Sequence, residues 1–119
     1  MKKITLLFLF QITLVFYTLG QIDISDARGM AIGSTVTIEG IVTNGDELGI
    51  IRYIQDNTGG LPAFPGNDNP ATAATFPNDV QRGDLVQVTG VLKEFNNLLE
   101  IDPIESYTVI SSNLSLIHI

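Results

Sequence analysis

A hairpin signal at residues 53–64 restricts the fold more than any other stretch of this chain. Two apolar runs, one ending at Ile54 and one beginning at Leu61, flank the turn sequence Asp-Asn-Thr-Gly-Gly. Asp, Asn and Thr side chains bond to nearby backbone, and glycine accepts positive φ, so this sequence predicts a tight chain reversal. Phe64 then lies in the strand that follows the turn, with Pro62 at the start or edge of that strand. The chain is therefore expected to build its strands around this turn.

Regular alternation of apolar and polar residues predicts two longer strands, at residues 35–43 and 84–93. Each carries a glycine at its middle, Gly40 in the first and Gly90 in the second. Two long strands of one small barrel need a residue without a side chain where they bend sharply. We therefore interpret both glycines as barrel bends.

The strand predicted at residues 49–55 alternates imperfectly. The face that buries Ile54 also points Arg52 inward, so we expect a bulge near Arg52, or a strand that starts only after it. Before this strand, Asn44-Gly45 predicts a turn or loop, because Asn-Gly is among the strongest short hairpin signals.

Two short helical segments accompany the strands. Residues 24–32 predict a helix with Ser25 as its N-cap. The connection at residues 65–79 is long and irregular, but Asn69 is expected to cap a helical turn within it, ending before Pro77.

Asn96 and Asn97 predict a second hairpin turn, since asparagine tolerates the left-handed conformation better than most residues. The fifth strand follows, with Leu99 and Ile101 on its core face and Pro103 at its end or edge. The chain thus predicts five strands in all.

This order of elements, together with four sequence stretches, resembles the OB-fold. The stretches are Val-Thr-Ile-Glu-Gly-Ile-Val-Thr, Tyr-Ile-Gln-Asp-Asn-Thr-Gly-Gly, Gly-Asp-Leu-Val-Gln-Val-Thr-Gly and Phe-Asn-Asn-Leu-Leu-Glu-Ile. More narrowly, residues 22–110 resemble the OB-like modules of secreted bacterial proteins, some of which carry extracellular nuclease or phosphatase domains further along the chain. The resemblance implies an all-β, five-stranded Greek-key barrel with a short N-terminal helix and a helical turn between strands three and four.

In an OB barrel, the outer surface of strands two and three is the usual ligand platform, flanked by the first loop and the loop between strands four and five. We therefore predict ligand contacts from Arg52, Tyr53, Gln55, Phe64 and Lys93. Aromatic side chains on such a platform stack on bases or sugars. The alternative is that Phe64 lies in the core and Tyr53 only covers a barrel edge.

The charge of the chain limits its choice of ligand. Its 6 Lys and Arg and 13 Asp and Glu give a formal charge of −7, which falls to −9 without residues 1–20, because these hold two of the cations and none of the acids. The remaining cations are scattered, whereas a nucleic-acid-binding surface is normally basic.

Two functions stay open. The first is weak binding of single-stranded nucleic acid, or of a similar oligomer such as an oligosaccharide, in support of a downstream domain. The second is a structural module that contacts proteins, glycans or downstream domains of the same chain and binds no nucleic acid.

No catalytic activity is expected from these residues. The chain has no cysteine, and its one histidine is His118, close to the end. Carboxylates at Asp46, Glu47, Asp56 and Asp68 lie in predicted loops without the ordered spacing of a metal site, so we interpret them as turn-forming and solubilising residues. We therefore predict neither an enzyme nor a cofactor or metal site.

The first twenty residues have the pattern of a signal peptide. Lys2 and Lys3 precede a charge-free run from Ile4 to Leu19, which is too short to span a bilayer. We expect cleavage after Gly20 and export to the periplasm, the cell surface or the medium, with no membrane contact afterwards.

Residues 111–119 are expected to form an unstructured tail. The stretch Leu-Ser-Leu-Ile-His-Ile at residues 114–119 resembles the translation of a sequencing adapter. We therefore expect the biological sequence to depart from this one near Asn113 and to continue into a longer exported protein.

Overall fold

The computed structural model describes residues 20–112. Residues 1–19 of the predicted signal peptide lie outside the described residues, as do residues 113–119 of the predicted tail, which include His118. Within residues 20–112, no helix is long and apolar enough to cross a membrane.

Five strands close into one barrel. They are β1 (Thr35–Val42), β2 (Arg52–Gln55), β3 (Gly60–Ala63), β4 (Leu85–Phe95) and β5 (Leu98–Ser111). The helices are α1 (Ile24–Ala27), which precedes β1, and α2 (Pro70–Asp79), which connects β3 to β4, and a 3-10 turn (Asp46–Leu48) lies between β1 and β2.

The strand order around the barrel is β1-β2-β3-β5-β4, with β1 and β4 pairing to close it. The contact between β3 and β5 is parallel, and every other described pairing is antiparallel. This arrangement confirms the predicted five-stranded barrel of the OB-fold type.

The core consists mainly of the inward-facing residues of the strands, with a few residues from the two helices and next to them. On β1, and on β4 as far as Leu92, every second residue is buried. Helix α2 adds Phe76, and Val80 directly after the helix is buried as well. The buried apolar residues are Ile24, Ala27, Val36, Ile38, Val42, Ile54, Leu61, Ala63, Phe76, Val80, Val86, Val88, Leu92, Ile101 and Ile104. Helix α2 is thus held against the strands by Phe76 and by Val80 just after its end.

The mid-strand glycines allow the barrel to close. A Cβ at Gly40 would lie 2.5 Å from the backbone oxygen of Gln55 on β2, and one at Gly90 would lie 2.5 Å from the backbone oxygen of Pro103 on β5. Gly90 also lies at a register shift between β4 and β5. Both glycines therefore stand where a neighbouring strand approaches too closely for any side chain, in agreement with the predicted barrel bends.

The predicted turn between β2 and β3 forms, but its glycines do not adopt positive φ. Instead, the Asp56 carboxylate accepts hydrogen bonds from the backbone and hydroxyl of Thr58 and from the backbone N–H of Gly59. The same carboxylate accepts the backbone N–H of Ile24, and the Thr58 hydroxyl accepts that of Ser25. The hairpin turn therefore also caps the first turn of α1.

Both helices differ from the prediction in length. Helix α1 ends at Ala27 rather than residue 32, and Ser25 lies inside it, because its capping oxygens come from the distant hairpin. Helix α2 is capped by Asn69 as predicted, but it continues through Pro77 to Asp79. A proline in the last turn removes a single backbone donor, and α2 still buries Phe76 beyond its middle.

A candidate ligand-binding groove

A groove of about 430 Å³ opens on the outer surface of the barrel, between the β1–β2 loop and the β4–β5 hairpin. It is lined by Leu48, Ile50, Ile51, Phe64, Asn67, Lys93, Phe95, Leu98, Glu100 and Asp102. Its volume lies within the range of roughly 300–1,000 Å³ that is typical of ligand pockets. The name "the groove" refers below to these ten residues.

One wall of the groove is a single face of the β4–β5 hairpin. Lys93 pairs across the strands with Glu100, and Phe95 pairs with Leu98 beside the Asn-Asn turn. Both turn asparagines have positive φ, as predicted, so the turn is tight and the two strands stay in register up to its end. The alternation of strands then brings Asp102 onto the same face.

The other wall comes from the β1–β2 loop and from the end of β3. The loop contributes Leu48, Ile50 and Ile51, and Phe64 follows directly after β3. The backbone N–H of Phe64 donates to the carbonyl of Ile101 at 2.8 Å, which joins this wall to β5. This wall of the groove is therefore hydrogen-bonded to a strand of the barrel.

The groove is mostly apolar and its rim is open to solvent. Leu48 is 53% exposed, Phe95 57% and Leu98 39%, although all three are large apolar side chains. Apolar side chains gathered in one open depression often mark a binding surface, whereas isolated ones need no explanation. The groove is therefore the best candidate for a functional site among residues 20–112.

Three charged residues lie in the groove, and two of them are acids. The Lys93 ammonium donates to the Asp102 carboxylate at 3.3 Å. Glu100 is only 5% exposed, and its carboxyl lies close to that of Asp102. Burial, together with repulsion from Asp102, raises the pKa of the Glu100 carboxyl above its ordinary value, although Lys93 acts in the opposite direction.

Only some of the predicted ligand-binding residues line the groove. Phe64 and Lys93 line the groove. Tyr53 and Gln55 lie on the outer face of β2, where Tyr53 pairs with Pro62, but neither lines the groove. Ile51 does line the groove. Tyr53, two residues later, lies on the same face as Ile51 but outside the groove.

Arg52 lies inside the barrel, fully buried, rather than on the predicted outer platform. Strand β2 begins at Arg52, and this arginine shares the inward face with Ile54, so the expected bulge or later start does not occur. Its guanidinium donates to the backbone oxygens of Gly45, Gly49, Ile51, Pro77 and Val80 and to the Asp46 carboxylate. This position corrects the prediction that Arg52 contacts a ligand, because its donors are all occupied inside the protein.

Most of the groove was not predicted from the sequence. The missed residues are Leu48, Ile50, Ile51, Asn67, Phe95, Leu98, Glu100 and Asp102. One signal was present, since Phe95 and Leu98 flank the predicted Asn-Asn turn and two large apolar residues beside a tight turn are unusual on a solvated hairpin. The β1–β2 loop gave no comparable signal.

Comparison with known proteins shows the fold only. No protein-family model matches the chain, and no curated protein matches its sequence. Among solved structures, the chain is similar to the hypothetical protein ygiW from E. coli, with a TM-score of 0.59 and 15% sequence identity over 77% of this chain and 91% of that chain. This likeness supports a small domain with an OB-fold-like barrel.

Proposed function

We propose that this chain is a non-catalytic binding module whose groove holds an extended, largely apolar segment of a partner protein. The observation that carries the proposal is the open, mostly apolar groove, in which the large side chains of Leu48, Phe95 and Leu98 are exposed. Burying such side chains against a partner is favourable by about 25 cal/mol for each Å² of apolar area removed from water.

The chemistry of the lining favours a protein over the other two ligand classes. Sugars and nucleic acids need many polar or cationic contacts, whereas most groove residues are aliphatic or phenylalanine. The one cation in the groove, Lys93, already pairs with Asp102. Single-stranded nucleic acid stays a prediction for this surface, supported by the two phenylalanine rings of Phe64 and Phe95.

The proposal includes the setting that the sequence predicts. The signal-peptide pattern of residues 1–20 supports export, and the resemblance to modules of secreted proteins supports an accessory role beside another domain. The absence of catalysis is supported by the composition, since residues 20–112 contain neither cysteine nor histidine.

Three probes test the proposal: a heptapeptide selected from a phage library on the immobilised chain, the oligonucleotide dT15, and chitohexaose. Calorimetric titration is expected to detect the peptide alone at physiological salt. Phe95→Ala should weaken peptide binding by about tenfold or more, as for a buried aromatic contact. Ile32→Ala is the matched control, because Ile32 is 56% exposed but lies outside the groove.

Two results would contradict the proposal. One is tight binding of dT15 or chitohexaose that Phe95→Ala abolishes, with no peptide selected. The other is an equal loss of peptide binding in Phe95→Ala and Ile32→Ala, which would mean that the peptide binds any exposed apolar side chain.

A further inference from the structure

Two carboxylates lie next to each other in the groove, on one face of β5. Glu100 is 5% exposed, and Asp102 follows it two residues later among the residues that line the groove. Removing a carboxylate from water costs free energy unless a cation or hydrogen-bond donors compensate for it. The charge balance of this pair therefore bears on what the groove can bind.

The one ammonium in the groove, that of Lys93, does not balance both carboxylates. Lys93 is the cross-strand partner of Glu100, yet its ammonium donates to Asp102, and its side chain is 53% exposed. The Asp102 side chain is only 13% exposed, so two largely buried carboxylates share one ammonium. The residues that line the groove therefore carry a net negative charge.

We propose, on the basis of the protein-binding function above, that Glu100 with Asp102 receives a lysine or arginine side chain of the bound segment. The apolar walls fit this ligand, because the long stems of lysine and arginine pack along apolar surface while their charged ends reach a carboxylate. Phe64 and Phe95 add aromatic rings to the same walls, and a cation is attracted to such rings. The partner segment is thus a basic residue flanked by apolar ones.

The charge of the whole chain agrees with a basic partner. A formal charge of −7 attracts positively charged segments over distances of about a Debye length and repels polyanions. The net charge attracts any basic segment, whereas the preference for a basic residue at one position of the segment is assigned to Glu100 and Asp102.

The test uses three peptides of the sequence Gly-Leu-Phe-X-Phe-Ser-Gly, in which X is lysine, norleucine or glutamate. Calorimetric titration of the full chain should show the lysine peptide binding about tenfold more tightly than the norleucine peptide, as expected for a charge-assisted hydrogen bond. The glutamate peptide should bind most weakly. The carbonyl ¹³C signal of the Glu100 side chain should shift with the lysine peptide and not with the norleucine peptide.

Glu100→Gln should remove the preference for lysine over norleucine while leaving norleucine binding in place. Glu94→Gln is the matched control, since it makes the same charge change on the same hairpin outside the groove and should keep the preference. Equal binding of lysine and norleucine peptides would overturn this inference and leave the binding module intact. Equal loss of the preference in both variants would also overturn it, and binding of none of the peptides would reject the inference together with the proposed function.

Discussion

The Nε–H of Arg52 donates a hydrogen bond of 2.8 Å to the backbone carbonyl of Val80, so a buried arginine ties β2 to the residue that follows α2. The other guanidinium nitrogens reach the carbonyl of Pro77 and those of the β1–β2 loop. One side chain therefore holds together a loop and a helix end that are far apart in the sequence. It also braces the loop that forms one wall of the groove.

Arg52→Met should destabilise the fold strongly, because it keeps an apolar stem of similar volume but leaves several buried carbonyls without donors. We expect a loss of about 3 kcal/mol or more in the free energy of unfolding. Urea denaturation followed by circular dichroism measures it. The control is Arg82→Met, since Arg82 forms an exposed ion pair with Glu47, and such pairs contribute little to stability. Similar losses in both variants would show that the buried network contributes little.

Gly90→Ala should destabilise the barrel, because the added methyl group would lie 2.5 Å from the backbone oxygen of Pro103. Overpacking of this kind costs about 1–3 kcal/mol or more, and here the opposing atom is backbone that cannot rotate away. Gly60→Ala is a suitable control, since its methyl group would meet the nearest atom at 3.7 Å and its φ is not positive. Thermal unfolding of the two variants gives the comparison, and an unchanged Tm in Gly90→Ala would be inconsistent with the close approach of β5.

Glu100→Gln should stabilise the protein at pH 7, because it replaces a buried carboxylate, repelled by the neighbouring Asp102, with a neutral group. The gain is expected to be about 1 kcal/mol. Burial and repulsion from Asp102 raise the pKa of Glu100, while Lys93 opposes them; these are the titratable groups that face it in the groove. A carboxyl whose pKa is raised by folding contributes stability that is present at low pH and lost as the pH rises through its folded-state pKa.

The advantage of Glu100→Gln should therefore shrink as the pH falls from 7 towards 4 and vanish once Glu100 is protonated in both states. Urea midpoints of the wild type and the variant at several pH values measure this difference. Groups that do not interact with Glu100, such as Asp56 with its lowered pKa, titrate equally in both proteins and cancel. A difference that stays constant between pH 7 and pH 4 would contradict the assignment to the Glu100 carboxyl.

The strands could be predicted from the sequence because their signals are local. Alternation assigned Val36, Ile38, Val86 and Val88 to the core, and each is buried. The position of Arg52 could not be predicted in the same way. Its acceptors come from residues 45–51 and from the end of α2, and nothing in the neighbouring sequence shows that these carbonyls meet inside the barrel. An arginine at an inward position therefore looked like an error in register.

The groove was only partly predicted for a similar reason. The Asn-Asn turn was recognised, but the role of its flanking residues depends on what faces them. Phe95 and Leu98 become part of a groove only because the β1–β2 loop, some 45 residues earlier, folds opposite them with Leu48 at its rim. The pairing of Lys93 with Asp102 rather than with its cross-strand partner Glu100 depends on side-chain geometry that alternation does not contain.

The nucleic-acid prediction gives a distinct result in a salt titration of dT15. Lys93 is the one cation that lines the groove, so any binding there should release few counterions and depend weakly on salt. The slope of log K against log salt should be close to −0.7, the value expected for about one phosphate contact on a single strand. Stacking would then supply the affinity, and Phe95→Ala should weaken binding by about 1–3 kcal/mol, more than Tyr53→Ala does, because Tyr53 lies outside the groove. A steep salt slope that neither variant changes would place the oligonucleotide on another surface, and a larger effect of Tyr53→Ala would shift the binding face from the groove to the outer surface of β2.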